Sequence, residues 1–147
     1  MNETNSSLRV FVDSNVLISA MQSENSISRK LLLLIAEEHQ LILCSYSLTE
    51  VARVLAKRFP HKLSTWDQFL IRLEFELAYT PSDLNAFSAP PIRDDKDLPI
   101  LVSALLAQPD LLVTGDRDFH TPEIKEQLVV LTPSDFMRAF GHGSSHQ

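Results

Sequence analysis

The stretch LRVFVDSNVLISAM, residues 8–21, decides how this chain is to be read. Its first half is a short apolar run, Val10, Phe11 and Val12 among it, cut off by Asp13. Its second half, Val16 to Met21, reads as a short helix. A strand that passes through an acid into a helix is the opening of an α/β unit. The acid lies near the interior edge of a sheet, where an unpartnered charge is costly. Asp13 is therefore the hardest acid of the chain to dismiss as surface decoration.

The same alternation continues outward. Residues 26–38 predict a helix with Ile27, Leu31, Leu34 and Ile35 on one face, and residues 41–44 a second strand. Residues 47–59 are helical by the spacing of Leu48, Val51, Ala52, Leu55 and Phe59. Residues 64–77 follow the same rule, with Trp66, Phe69, Leu70, Leu73 and Leu77 on one side, and Trp66 and Phe69 suit a core rather than stacking on bases. A short third strand is expected at 78–80, and a connector at 88–92, which holds Pro90 and Pro91. A helix at 97–107, strands at 111–114 and 129–131 and a closing helix at 134–140 complete the pattern. The expected fold is α/β, with a mostly parallel central sheet of about four or five strands flanked by helices. Residues 8–140 form its one domain, and the polar segments 1–7 and 141–147 are expected to be disordered.

Composition narrows the function. The formal net charge of −6 argues against a protein whose main task is to coat nucleic acid, but not against a nuclease whose acids gather around cations. The single cysteine, Cys44, excludes an internal disulfide and fits a reducing compartment. No signal-like segment opens the chain, and the longest apolar run, residues 31–36, is too short to cross a bilayer, so a cytoplasmic location without membrane contact is expected.

In open α/β sheets, ligands bind beyond the carboxyl ends of the strands. Asp13 follows the first strand there and Glu50 lies on the helix after the second. Asp116 and Asp118 follow Thr114 and Gly115, and Asp97 opens the helix feeding that strand. Each has a bland alternative. Ser47 and Glu50 have capping-box spacing, Asp97 suits a helix N-cap, and Asp116 and Asp118 suit a turn. Independent caps have no reason to converge on one sheet edge, and the convergence favours a site. Like charges gathered so closely need compensation. The histidines are scattered and no HExxH or CxxC occurs, so all-oxygen donors point to Mg²⁺ or Mn²⁺ rather than zinc. The sequence holds no GxxxxGK[ST], GxGxxG or GxSxG. Asp13-Ser14-Asn15 also lacks the Asp-x-Asp of a haloacid-dehalogenase-type phosphatase and the Asp-x-Ser-x-Ser of an integrin-type metal site.

Residues 12–20, VDSNVLISA, resemble the opening motif of PIN-domain proteins. Ser47 to Val51, continuing to Val54 and Leu55, is similar to their second motif, with its acid at Glu50. Residues 93–97, RDDKD, and 112–119, LVTGDRDF, resemble the third and fourth, and the VapC-like toxins of prokaryotic toxin–antitoxin pairs are the most similar subgroup. The resemblance spans about residues 9–132. It implies a PIN-like fold, an Mg²⁺- or Mn²⁺-dependent endoribonuclease, a homodimer, and a cognate antitoxin that sends basic side chains into the acidic pocket. Asp13, Glu50, Asp97 and Asp116 would hold metal and orient water, with Asp118 as a supporting metal-site acid. Asn15 and Thr114 would hydrogen-bond carboxylates or phosphate. Asp94 is the fallback for Asp97 in the crowded third motif. Arg53, Lys57 and Arg117 are candidate RNA contacts, although Arg53 and Lys57 also read as an ordinary solvated helix face. A housekeeping RNA-processing nuclease and a non-catalytic interaction module of the same fold are the competing readings.

Overall fold

A computed structural model describes residues 7–141, so the expected disordered termini lie outside the described residues except for Ser7 and Gly141. The strand–acid–helix opening is present as β1 (Arg9–Val12) and α1 (Ser14–Gln22), with Asp13 between them. There follow α2 (Ile27–Glu38), β2 (Gln40–Cys44), α3 (Ser45–Arg58), α4 (Leu63–Arg72), β3 (Glu76–Ala78), α5 (Leu98–Ala107), β4 (Leu111–Val113), α6 (Pro122–Lys125), β5 (Val130–Leu131) and α7 (Pro133–Phe140).

The strands form one sheet in the order β3-β2-β1-β4-β5, and every neighbouring pair is parallel. The chain moves outward from β1 to β3, then returns to β1's other flank with β4. The strand order therefore reverses between β1 and β4, and a crevice opens there at the carboxyl ends of the strands. The amide of Asp13 extends that seam by donating to the Val113 carbonyl at 3.2 Å.

Side chains alternate between the two faces of each strand. Val10, Val12, Leu41, Leu43, Leu111 and Val113 enter the core that includes Leu17, Leu31, Val51, Leu55, Trp66 and Phe136. Phe11, Ile42, Cys44 and Leu112 enter the other, beneath Ile100, Leu101, Ala104 and Phe119. Burial on both faces explains why these strands read as continuous apolar runs. Each such side chain contributes about 1.5–3 kcal/mol on leaving water, enough to bring the strand ends, and the polar residues that follow them, into fixed register.

Three expectations need correction. The helix predicted to reach residue 77 ends at Arg72, and the third strand runs over Glu76–Ala78 rather than 78–80. Leu77 fits the helical period, but its segment pairs with β2 instead, with Ile42 opposite Glu76 and Cys44 opposite Ala78. Glu76 is further fixed by Arg9 at 2.8 Å and by Gln40 Nε2 at 2.9 Å. The helix predicted from residue 47 begins at Ser45, because Thr80 supplies its polar start: Thr80 Oγ1 accepts from the Tyr46 amide and Ser45 Oγ accepts from the Thr80 amide. The short α6 went unforeseen; Thr121 caps it and Pro122 opens it.

Candidate metal centre

The crevice between β1 and β4 is built around one threonine. Thr114, fully buried, donates from Oγ1 to Asp13 Oδ2 at 2.6 Å and accepts at the same atom from the Asp116 amide at 3.0 Å. One hydroxyl thus ties the acid after β1 to the turn after β4. The carbonyl of Thr114 accepts from His120 Nε2 at 2.8 Å, which fixes the proton on that ring nitrogen. Asp13 is only 1% exposed. It occupies the N-cap position of α1 but makes no side-chain capping bond, so its carboxylate is turned to the crevice instead. Desolvation raises its pKa to about 6, with the Thr114 hydrogen bond opposing and the charges of Asp116 and Glu50 adding to the rise.

Asp97, Asp116 and Asp118 each place a ligand oxygen within 4.8 Å of the others. Asp116 Oδ1 accepts from the Asp118 amide, which holds the turn. Asp97 is raised to about 8, first by its partial burial, then by its hydrogen bond to Asp116 and that residue's charge, with Asp13 and Asp94 adding. Two carboxyl groups in hydrogen-bond contact require a proton between them, and that proton does locally what a cation would do.

Two bland alternatives are corrected here. Asp97 sits at the N-cap of α5 without a side-chain capping bond, and Asp94 does the local capping through the Lys96 amide at 3.0 Å. Ser47 and Glu50 form no capping box, since both lie inside α3. Ser47 Oγ instead meets Ser14 Oγ at 2.8 Å and Cys44 Sγ at 3.3 Å in the buried seam behind the site. The turn reading of Asp116 holds, because the same carboxylate both caps the turn and faces Asp97.

The remaining sequence-selected residues divide between two clefts. One, of about 740 Å³, is lined by Asn15, Arg93, Gly115, Asp116, Arg117 and Asp118. The other, of about 410 Å³, holds Glu50 with Tyr46, Arg53, Val54, Lys57, Arg58 and Lys96. Glu50 acts on Asp13 through its charge but does not join the tight three-acid group. Sequence reading missed the roles of Arg93, which pairs with Asp118, and of His120, which holds the Thr114 carbonyl. Only the position of Arg93 at the head of the third motif could have flagged it.

The donor set suits a hard divalent cation. The clustered side chains are carboxylates, their surroundings include hydroxyls, and the Asp97–Asp116 contact is one that a cation would relieve.

Comparison with known proteins agrees with this architecture. The chain is similar in fold to VapBC2 from Rickettsia felis bound to a DNA fragment from their promoter, with a TM-score of 0.62, 15% identity, and 84% of this chain and 98% of that chain covered. DNA-bound VapBC from Salmonella typhimurium gives 0.62 and 15%, with 86% and 98% covered. VapC20 from Mycobacterium tuberculosis, a sarcin–ricin loop cleaving toxin, gives 0.55 and 11%, with 76% and 92% covered. No curated protein matches by sequence. The PIN-domain family model matches residues 9–118, a span that holds β1 to β4 together with Asp13, Glu50, Asp97, Asp116 and Asp118. With that match over most of its length, and with Asp97, Asp116 and Asp118 of the matched span gathered beyond the strand ends, this chain belongs to the PIN-domain family.

Proposed function

We propose that this PIN domain is a metal-dependent endoribonuclease and the toxin component of a cytoplasmic toxin–antitoxin pair. The observation that carries the reading is the convergence of Asp97, Asp116 and Asp118 oxygens within 4.8 Å, beside a buried Asp13. Asp13, Glu50, Asp97 and Asp116 would hold Mg²⁺ or Mn²⁺, with Asp118 in support. Asp97 is preferred to Asp94 because Asp94 already spends its carboxylate on the Lys96 amide, whereas Asp97 contacts Asp116. Divalent cations, when bound, ease deprotonation of the attacking water and offset charge developing on the leaving oxygen.

The chain's own residues supply the rest. Thr114 orients Asp13 and fixes the Asp116 turn. Asn15 and Arg117 line the larger cleft, where a scissile phosphate would bind. Arg53 and Lys57, joined by Arg58 and Lys96, wall the neighbouring one. None of these four forms an ion pair among the described residues, in a chain whose net charge is −6. Free cations gathered beside an acidic centre suit the phosphates flanking the cut bond.

The fold shared with VapBC proteins and with a loop-cleaving toxin supports the toxin assignment and the antitoxin partner, and a homodimer is carried over only from the family motifs in the sequence. No helix among the described residues is long and apolar enough to cross a membrane. The test is a titration of Mg²⁺ and Mn²⁺ against a panel of RNA and DNA substrates. RNA cleavage that needs the cation is expected; cleavage unaffected by chelator, or confined to DNA, would overturn the proposal.

A further inference from the structure

Asp118 has a resident cation. Arg93 donates from Nε to Oδ1 at 2.9 Å and from Nη2 to Oδ2 at 3.0 Å, so both carboxylate oxygens are engaged by one guanidinium. Yet Asp118 also offers an oxygen to the group it forms with Asp97 and Asp116. A divalent cation entering that group meets the positive charge of Arg93 and a carboxylate already occupied in bidentate fashion.

The two partners differ in how firmly they are held. The Asp118 side chain is 13% exposed, and its amide is fixed by Asp116. The Arg93 side chain is 78% exposed and projects from the connector before α5. Exposed ion pairs are weak, so Arg93 is the partner that leaves. It already faces the larger cleft, which Asn15, Arg117 and Asp118 also line, so leaving the carboxylate keeps it beside that space. A planar guanidinium with paired donors suits a phosphate as well as it suits a carboxylate.

The geometry points to Arg93 as a phosphate-binding residue of the reaction that is parked on Asp118 when no cation is present. The cation and Arg93 compete for Asp118. Once displaced, the guanidinium remains at the mouth of the cleft and clamps the RNA phosphate. This inference rests on the metal-dependent nuclease reading, and it is tested by a measurement that does not need turnover.

Mn²⁺ binding to the full chain is measured by calorimetry for the wild type and for Arg93→Gln, alone and in an Asp118→Asn background, alongside RNA cleavage kinetics. Arg93→Gln is expected to bind Mn²⁺ up to about fivefold more tightly, the ceiling that an exposed ion pair sets. It should nonetheless lose about tenfold or more in kcat/KM, with Arg93→Lys intermediate because it keeps the charge without the fork. In the Asp118→Asn background, Arg93→Gln should tighten Mn²⁺ clearly less, since only the charge of Arg93 is then left to relieve; an undiminished effect would show that the two do not compete for Asp118. Unchanged or weaker Mn²⁺ binding in Arg93→Gln would reduce Arg93 to a clamp on the Asp118 turn and overturn the proposal. Tighter binding with undiminished cleavage would remove its contact with substrate and overturn it equally. A wild type that binds Mn²⁺ but cuts no RNA would instead defeat the nuclease reading.

Discussion

The two ends of the sheet treat charge in opposite ways. At the amino end, Arg9 opens β1 and is matched on every side. Its amide donates to Asp110 at 2.8 Å, its Nη1 to the Ala107 and Gln108 carbonyls at 2.8 and 3.0 Å, and its Nη2 to Glu76 at 2.8 Å. One cation there closes the end of α5, the loop before β4 and the edge strand β3. At the carboxyl end, Asp13, Asp97 and Asp116 face one another, and only Asp118 has a cationic partner among the described residues. The first arrangement uses complementary charge to hold elements together. The second keeps like charge together against its own repulsion, which makes sense where a cation from outside completes the set.

The sharpest test of that contrast is activity. Asp13→Asn and Asp116→Asn should each lower metal-dependent RNA cleavage by about a thousandfold while leaving the circular dichroism spectrum intact. Arg9→Ala should leave cleavage within about twofold, as expected of a residue that acts only on stability. Full activity in either acid variant would place the chemistry elsewhere in the chain.

A second test uses pH. Both shifted acids have folded-state pKa values above the ordinary 3.8, about 6 for Asp13 and about 8 for Asp97. A raised pKa means the folded chain holds a proton that the unfolded chain has lost. The stability from these groups is therefore complete below pH 3.8 and is lost as pH rises through 6 and then 8. In chelator, the melting temperature should fall between pH 5 and pH 8. Saturating Mn²⁺ should flatten that fall and add about 2.7 kcal/mol at a hundred times its Kd. A chelated protein equally stable across the range would show that the acids do not repel. Next in size comes a pair of substitutions with opposite signs. Arg9→Ala should cost about 1–2 kcal/mol with or without metal, through its lost charged hydrogen bonds. Asp97→Asn should stabilise the chelated protein by about 0.5–1 kcal/mol, a figure discounted because Asp97 is only partly buried. Thermal melts in chelator read both.

What the sequence disclosed follows from the range of the forces involved. The run Val10 to Val12, the acid and the helix after it are local features, and with the repeated alternation they made the parallel sheet and its acidic edge legible. Asp13, Asp97 and Asp116 were legible for the same reason, since each follows or feeds a strand. The strand at Glu76–Ala78 was not, because it is decided by pairing with Ile42–Cys44 and by Arg9, all distant in sequence. The start of α3 depends on Thr80, and the partner of Asp118 is Arg93, 25 residues away. The spacing of Ser47 and Glu50 suggested a capping box only because the true first residue of the helix lay outside that local pattern.

The smallest expected effect bears on whether the two ends are separable. Gln108 ends α5 in the left-handed conformation, with φ 52°, where a side chain is strained and glycine is at ease. Its carbonyl accepts from Arg9, a bond that does not depend on the Gln108 side chain. Gln108→Gly removes the strain but gives the unfolded chain more freedom, and the two partly cancel. A net gain of about 0.5 kcal/mol is expected, or about 1–2 °C in melting temperature for a domain of this size. Mn²⁺ affinity should not change, because the substitution relaxes only the end of the sheet that is already satisfied. A shift in Mn²⁺ affinity would mean that strain at the amino end is transmitted along β4 to Thr114, and that the acids owe their placement in part to the other end of the sheet.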